Sequence, residues 1–313
     1  MSYKKYISNQ FWDLWCMASI VGIWPRFIEP ELLYINRHTL TSPRFPDLKI
    51  VQISDIHLHT QVSDAFLKKI YRHLHAIKPD IIVFCGDFLC YGEMQDEKRI
   101  GQFLKELNAP LGSFAVLGNH DYEKRIALSE DGSYTLANQE NSEIISGFQR
   151  LLSPIKPTGK VACELKDLKP HPKLLELIEN SNVKLLNNET FPINQLINIC
   201  GLGEHMTGQC DTKKALQNYN PNLPGIILCH NPDSLPAVSK MPGDVVLCGH
   251  THGAQVNLPF IRHRLMLQEH PKWTRGIHTI NDKWVYINRG LGSTMPFRWF
   301  SPPEMMVLTL KSE

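Results

Sequence analysis

Carboxylate, imidazole and amide side chains follow five apolar segments of this 313-residue sequence, each within four residues of the end of its segment. The candidates are, in chain order, Asp55 and His57, Asp87, Asn119, His230, and His250 with His252. Carboxylate oxygen, imidazole nitrogen and amide oxygen are the ligands expected for divalent ions such as Mn²⁺, Fe²⁺ or Zn²⁺. Seven candidates exceed what one ion needs. We therefore predict two ions about 3.5–4 Å apart, which can clamp both oxygens of an in-line phosphoryl displacement.

The elements that must position these side chains are predicted to be buried strands. Segments 48–53 and 81–85 are short runs of apolar and β-branched residues, which is typical of such strands. Between them, the apolar residues of 63–78 recur at helical spacing, and Pro79 ends the predicted helix. Alternating strands and helices predict an α/β fold, in which ligands bind at the carboxyl ends of the strands.

Composition excludes several other classes of protein. A net charge of +2 and a hydrophobic content of 42% describe a globular chain without an overall nucleic-acid footprint. The eight cysteines form no Cys-x-x-Cys pair, and none joins the candidate ligands, which argues against a structural zinc cage. Cys85, Cys229 and Cys248 end apolar runs and are predicted to be reduced core residues, which favours a cytoplasmic compartment.

The N-terminal segment 11–24 is an apolar, tryptophan-rich stretch that ends before Pro25. It is shorter than the roughly 18–20 residues that span a bilayer, and Asp13 interrupts it, which disfavours a signal peptide. A narrow polar stripe and the flanking Lys4 and Lys5 suit a helix that lies in a membrane interface. The alternative is a helix that packs against the core and closes the domain.

The predicted domain organisation is an N-terminal amphipathic segment and linker over 1–46, followed by one catalytic domain over 47–313. Residues 123–175 are the least regular part of that domain and contain several lysines and few apolar runs. We interpret them as an insertion, and two roles remain open for it. The insertion could form a lid beside the site, or it could be a solvated excursion of the surface.

The ordered motifs Asp-x-His, Gly-Asp, Gly-Asn-His-Asp, a single His and Gly-His-x-His resemble those of the calcineurin-like metallophosphoesterases. The resemblance covers about residues 48–310, and this set of motifs is highly specific. The motifs at 288–292 and 302–304 also resemble the small bacterial branch of the family, and more narrowly its chlamydial-type UDP-2,3-diacylglucosamine pyrophosphatases. The resemblance implies a two-sheet αββα sandwich, with β-sheets face to face and helices outside.

The resemblance also implies roles for the individual residues. One ion would be held by Asp55, His57 and His252, the second by Asn119, His230 and His250, and Asp87 would bridge both. Mn²⁺ is the expected metal, although Fe²⁺ and Zn²⁺ share these ligands. His120 would lie opposite the leaving oxygen and stabilise its charge or supply a proton, and Asp121 would orient the ring of His120. No predicted ligand departs from the family pattern, which argues against a non-catalytic member.

The implied activity is metal-dependent hydrolysis of the pyrophosphate bond of UDP-2,3-diacylglucosamine to UMP and 2,3-diacylglucosamine 1-phosphate, in lipid A biosynthesis. The expected partners are this lipid-linked nucleotide and the cytoplasmic face of the bacterial inner membrane, with no nucleic acid and no obligate protein partner. Two alternatives remain: hydrolysis of a soluble nucleotide or other phosphoester, and a metal-dependent binding scaffold.

Two arginines are candidate substrate contacts. Arg289 lies in a glycine-flanked turn, where it could bind a phosphate or form a structural ion pair. Arg298 belongs to a predicted basic and aromatic surface that could contact a lipid headgroup and acyl chains. The members of that predicted surface are Arg262, His263, Arg264, Arg298, Trp299 and Phe300.

Overall fold

The computed structural model describes residues 12–137, 151–295 and 297–313, and within them two six-stranded sheets form the centre of the protein. The first sheet consists of β1 (Tyr34–Thr41), β2 (Leu48–Ile53), β3 (Ile81–Cys85), β4 (Ser113–Val116), β7 (Val183–Leu185) and β14 (Glu304–Lys311). Its strand order is β1-β14-β2-β3-β4-β7. β2, β3, β4 and β7 are parallel, so the predicted ligands that follow β2, β3 and β4 meet at one edge.

The second sheet supplies the remaining predicted ligands. It consists of β8 (Glu189–Ile193), β9 (Ile197–Gly201), β10 (Gly225–Leu228), β11 (Val245–Cys248), β12 (Gly276–Ile280) and β13 (Lys283–Ile287). Its strand order is β12-β13-β11-β10-β9-β8, and the four central strands are parallel. The carboxyl ends of β10 and β11 therefore lie side by side.

Helices cover the outer faces of both sheets. They are α1 (Asp64–Ile77), α2 (Glu97–Glu106), α3 (Cys163–Lys166), α4 (Pro172–Glu179), α5 (Thr212–Ala215), α6 (Leu235–Val238) and α7 (Arg262–Leu265). The helix predicted over 63–78 is α1. Its first turn is capped by Ser63, whose Oγ accepts a hydrogen bond from the backbone N–H of Phe66 at 3.0 Å. Lys78 ends it with a left-handed backbone, directly before Pro79.

Three apolar layers hold these elements together. Residues of both sheets, such as Val83 and Leu228, form the layer between the sheets. α1, α2 and α4 pack on the outer face of the first sheet, and α5 and α6 pack on the outer face of the second. The predicted αββα sandwich is therefore confirmed. All eight cysteines are free, and Cys85, Cys229 and Cys248 are buried.

The part of the chain before residue 47 contains more than a linker, because β1 pairs with β14 along its whole length. Before β1, residues 12–18 and the wider helical turns of Ser19–Ile28 form an N-terminal helix in which Pro25 alone is buried among the residues described. Trp12 and Phe27 are each 65% exposed. This exposure does not fit a helix packed in the core. Lys4, Lys5 and residue 11 lie outside the described residues.

The segment interpreted as an insertion contains a hairpin of β5 (Ile126–Leu128) and β6 (Tyr134–Leu136), and then α3. Tyr134 and Leu165 are buried in the layer outside the first sheet. The guanidinium of Arg125 lies 4.0 Å from the centre of the Tyr91 ring, which in turn contacts the ring of His120. The start of the segment therefore lies beside the candidate site, and residues 138–150 are outside the described part of the chain.

No described helix has both the length and the apolar character that a bilayer span requires.

Candidate metal centre

The carboxyl ends of the two sheets meet, and six of the seven predicted ligands form two adjoining clusters there. Asp55, His57, Asp87 and His252 form the first, and Asp87, His230 and His250 form the second. Within each cluster, the candidate ligand atoms lie within 4.8 Å of one another. Asp87 belongs to both clusters, and the seventh residue, Asn119, places its Oδ1 2.9 Å from Nδ1 of His250.

Hydrogen bonds to backbone carbonyls determine which nitrogen of each ring faces inward. Nδ1 of His57 donates to the oxygen of Leu89 at 2.9 Å, and Nδ1 of His252 lies 3.1 Å from the oxygen of Gly292. A carbonyl oxygen only accepts, so the proton of the neutral His57 ring is on Nδ1 and its lone pair is on Nε2. Nδ1 of His252 also lies 3.3 Å from the donor Nη2 of Arg298, so its contacts do not fix the tautomer of that ring. These two Nε2 atoms are only 3.0 Å apart. The lone pair on Nε2 of His57 therefore faces Nε2 of His252, and a cation between the two nitrogens would bind both.

The second cluster shows the same arrangement. Nδ1 of His230 donates to the oxygen of Cys85 at 2.7 Å, so its Nε2 is the nitrogen that faces the cluster. That Nε2 lies 3.2 Å from Oδ1 of Asn119 and 3.2 Å from Oδ2 of Asp87, two acceptors that a proton or a metal ion at this position would satisfy. The donor set therefore fits a second cation, and the two clusters together fit a dinuclear metal site.

Burial keeps His57, His250 and His252 neutral, which a metal ligand requires. Burial lowers the pKa of His57 to about 3 and, together with neighbouring histidines, holds those of His250 and His252 well below the usual value. Burial alone would also lower the pKa of His230, but Asp87 raises it well above its usual value. Burial alone would raise the pKa of Asp87, but the surrounding imidazoles, His230 foremost, hold it well below its usual range. The shared carboxylate is therefore ionised.

The backbone at the site is strained in a way that the sequence did not indicate. Asp55, His57, Asp87, His250 and His252 all have positive φ angles, between 41° and 72°. Left-handed backbone costs roughly 1–2 kcal/mol at a residue other than glycine. Such strain persists where the surrounding structure over-determines it, and it clusters at functional sites. Five of the seven predicted ligands therefore lie on strained backbone, although residues elsewhere, such as Lys78 and Asn188, have positive φ as well.

Asp121 organises the loop that carries Asp87. Its fully buried carboxylate accepts four backbone hydrogen bonds, from the N–H groups of Asp87, Phe88, Leu89 and Gly118, at 2.8–2.9 Å. That Asp121 orients the ring of His120 stays a prediction. All four described acceptor bonds of Asp121 are to backbone amides, because the turn after β3 needs an acceptor at this position.

The ring of His120 stands at the edge of the first cluster. It packs edge-to-face against the ring of His57, with centroids 4.8 Å apart. The backbone N–H of Tyr91 donates to Nδ1 of His120 at 2.9 Å, so the neutral ring carries its proton on Nε2. The backbone N–H of His120 donates to Oδ1 of Asp87 at 2.9 Å, which ties the ring to the shared ligand.

The two predicted substrate arginines have other partners in the structure. Nε of Arg289 is ion-paired with the buried carboxylate of Glu304, which is the structural alternative considered for it. Arg298 is fully buried and donates to the carbonyl oxygens of Arg289, Gly292 and Ser301. Arg298 is therefore not part of an exposed basic surface. Its guanidinium instead holds the loop next to His252 through these hydrogen bonds.

Glu29 is a contributor to this region that sequence reasoning missed. Its buried carboxylate accepts from Nε1 of Trp24 at 2.8 Å and from the backbone N–H groups of Phe300 and Ser301. The hydroxyl of Ser301 donates to the carbonyl oxygen of His252 at 2.6 Å. The N-terminal helix is thus joined to the ligand loop through contacts more than 200 residues apart in sequence, for which no local signal exists.

A local signal for the ligand loops does exist. Glycine directly precedes Asp87, Asn119 and His250. A Cβ at Gly118 would lie 2.1 Å from Oδ1 of Asp87, so only glycine allows the two loops to approach so closely.

Comparisons with known proteins agree with this geometry. The calcineurin-like phosphoesterase family model matches residues 48–254. The chain is 39% identical to the UDP-2,3-diacylglucosamine pyrophosphatase LpxG of Chlamydia muridarum and 38% identical to LpxG of Chlamydia trachomatis, each over 92% of both chains. It is 29% identical to the uncharacterized metallophosphoesterase YkuE of Bacillus subtilis, over 100% of this chain and 98% of that one. The protein belongs to the calcineurin-like phosphoesterase family and is a metallophosphoesterase hydrolase.

Proposed function

We propose that this protein hydrolyses the pyrophosphate bond of UDP-2,3-diacylglucosamine to UMP and 2,3-diacylglucosamine 1-phosphate, a step of lipid A biosynthesis. The observation that carries the proposal is the 39% identity to a pyrophosphatase of this specificity over 92% of both chains. The paired Asp and His clusters that share Asp87 support it, because they supply the ligands that such a hydrolysis requires.

The proposed ligands of one ion are Asp55, His57 and His252, and those of the second are Asn119, His230 and His250, with Asp87 shared. Two divalent ions supply Lewis-acid polarisation of the phosphoryl oxygens and a lower pKa for bound water. We propose Mn²⁺ as the physiological metal, since oxygen and imidazole ligands without thiolate suit it.

The neutral ring of His120 acts as a hydrogen-bond donor through Nε2. Tyr91 N–H occupies the lone pair of Nδ1, so the ring keeps its proton on the side away from that bond. A donor beside the shared carboxylate can stabilise the oxygen that leaves phosphorus or give it a proton. Asp121 acts through the backbone of the Asp87 loop rather than on the substrate.

A cavity beside the site suits the acylated end of the substrate. It has a volume of about 290 Å³ and lies between the N-terminal helix and the loops next to the ligands. Phe27, Val62 and Phe66 contribute apolar walls, and His59 contributes a polar one. The opposite wall includes Gly292, whose carbonyl oxygen contacts Nδ1 of His252, so the cavity adjoins the first cluster.

The N-terminal helix supports attachment to the cytoplasmic face of the inner membrane as a peripheral protein. Its exposed side chains include Trp15, Ile20 and Trp24, which are 41–56% exposed. Aromatic and aliphatic side chains on one helix favour the interface between headgroups and acyl chains. Phe27 belongs both to this exposed set and to the wall of the cavity, so a substrate in the membrane would lie next to both.

The test is the release of UMP from UDP-2,3-diacylglucosamine in detergent by metal-stripped full-length protein, with and without Mn²⁺. The same nucleotide sugar without acyl chains and a soluble aryl phosphodiester are assayed in parallel. We expect Mn²⁺-dependent turnover of the diacylated substrate to be much faster than turnover of the other two. Asp87→Asn should lower that turnover about 1000-fold, since a lost ligand removes several kcal/mol of charge stabilisation.

Asp80→Asn is the matched control, because the Asp80 carboxylate also accepts a backbone amide, that of Lys49 at 2.7 Å, but lies before β3, at the strand end away from the ligands. Equal turnover of acylated and unacylated substrates would favour the alternative, a phosphoesterase of soluble compounds. Unchanged function of Asp87→Asn in cells would favour a binding scaffold.

A further inference from the structure

A second depression, away from the ligand clusters, is lined by cationic side chains. It has a volume of about 390 Å³, and its walls include Arg262, Lys272 and Arg275, together with His263. The lining contains no carboxylate. Among the ion pairs of the described residues, none involves Arg262, Lys272 or Arg275. The lining therefore gathers three positive charges and no carboxylate.

This arrangement is unfavourable in the isolated protein. Burial and the nearby charges of Arg289 and Arg262 lower the pKa of Arg275, and the carboxylate of Glu304 offsets them only in part. Nη1 of Arg275 donates to the carbonyl oxygen of Phe300 at 3.2 Å, which holds the guanidinium in place despite the repulsion. An anion in the depression would relieve this repulsion, and a phosphate group matches the geometry of arginine donors.

Two exposed phenylalanines flank the depression. Phe260 is 93% exposed and Phe300 is 55% exposed. Both have left-handed backbone, with φ of 71° and 58°, which is rare for a bulky side chain. A strained backbone that presents an apolar ring to solvent indicates a surface selected for contact rather than for stability.

The depression is linked to the end of the N-terminal helix through Phe300. The backbone N–H of Phe300 donates to Glu29, the residue that follows Ser19–Ile28, at 3.0 Å, and its carbonyl oxygen accepts from Nη1 of Arg275 at 3.2 Å. Arg275, Phe300 and the end of the helix therefore lie next to one another. Apolar rings beside arginine and lysine are the combination that binds an anionic membrane surface.

We propose that the depression formed by Arg262, Lys272 and Arg275 binds the phosphate group of an anionic membrane lipid, with Phe260 and Phe300 entering the interface beside it. The inference rests on the proposed membrane attachment and adds to it a defined headgroup site. It assigns the depression to a lipid phosphate rather than to the phosphates of the nucleotide, because exposed aromatic rings surround it.

The experiment is sedimentation of the full-length protein with vesicles of phosphatidylcholine alone or with added phosphatidylglycerol. The variant Arg262→Gln/Arg275→Gln should partition into the anionic vesicles about 30-fold more weakly than wild type, from about 5-fold for each charge near the surface. Partition into phosphatidylcholine should not change. The matched control is Lys98→Gln/Lys105→Gln, which removes two exposed charges from α2 on the outer face of the first sheet and should bind as wild type does.

Arg262→Lys/Arg275→Lys keeps both charges and should retain most of the binding, which separates lost charge from lost folding. Equal binding of the Gln variant and the Lys98/Lys105 control would overturn the inference. If Arg262→Gln/Arg275→Gln raised the KM for UDP-2,3-diacylglucosamine in neutral detergent but bound vesicles as wild type does, the depression would be a nucleotide site. That result would also overturn the inference. Failure of wild type to bind either vesicle would refute membrane attachment, while the detergent assay still tests the proposed hydrolysis separately.

Discussion

Replacement of Asp121 by asparagine should weaken the metal centre although Asp121 is not a proposed ligand. Each carboxylate oxygen accepts two backbone N–H groups: Oδ1 from Phe88 and Leu89, and Oδ2 from Asp87 and Gly118. Asparagine replaces one of these oxygens by an NH₂ group. In either orientation of the amide, two buried N–H donors then face a donor instead of an acceptor.

The magnitude follows from these two lost acceptors. A buried polar group left unsatisfied costs about 1–3 kcal/mol, so the free energy of unfolding should fall by about 2–6 kcal/mol. Asp87 is held at a φ of 63°, and the bond from its own N–H to Asp121 is one of the contacts that impose this angle. Loss of an outer contact of this kind typically lowers metal affinity 10–100-fold, and we expect Mn²⁺ affinity to fall within that range.

Two assays on purified Asp121→Asn check the reasoning: urea unfolding of the metal-free protein and competition titration with Mn²⁺. Asp80→Asn serves as the control, because Asp80 precedes β3, at the strand end away from the ligands, where its carboxylate accepts from the backbone N–H of Lys49 at 2.7 Å, and the variant should leave Mn²⁺ affinity unchanged. The reasoning is refuted if Asp121→Asn binds Mn²⁺ as tightly as wild type does, or if its free energy of unfolding falls by less than about 1 kcal/mol.

Two further predictions concern other residues. His120→Asn should lower kcat by about 10²–10⁴-fold and leave Mn²⁺ affinity unchanged. The asparagine oxygen can still accept from Tyr91 N–H, but the shorter side chain places no donor where Nε2 lies. A parallel loss of Mn²⁺ affinity would contradict this role. Glu269→Gln should lose about 1–3 kcal/mol of unfolding free energy near pH 6 and less at pH 9. Burial alone would lower the pKa of His205, but Glu269 at 2.7 Å raises it, and His205 in turn lowers that of Glu269. The pair therefore stabilises the fold above the lowered pKa of Glu269, and its contribution is lost as pH rises through the raised pKa of His205. Urea unfolding at both pH values measures the difference, and an equal loss at both would show that the charge of the pair is not responsible.

The residue types at the strand ends were sufficient to predict the chemistry of this protein. Buried strands are recognisable from short apolar runs, and in parallel strands the residue that follows each run must lie at the same edge of the sheet. That rule alone brings Asp55, Asp87 and Asn119 together, since β2, β3 and β4 are neighbours in one sheet. The same local pattern located His230 and His250 at the ends of β10 and β11.

The tertiary structure decided how the surrounding residues are used. Arg289 and Arg298 carry the same charge and lie in the same kind of loop, yet one pairs with Glu304 and the other is buried beneath His252. Asp121 contacts the backbone of a loop 32–34 residues earlier in the chain, and Glu29 contacts one more than 270 residues later. Partners so distant in sequence are chosen by the packing of the two sheets and by the need to satisfy every buried polar group, and neither leaves a periodic signal in the chain.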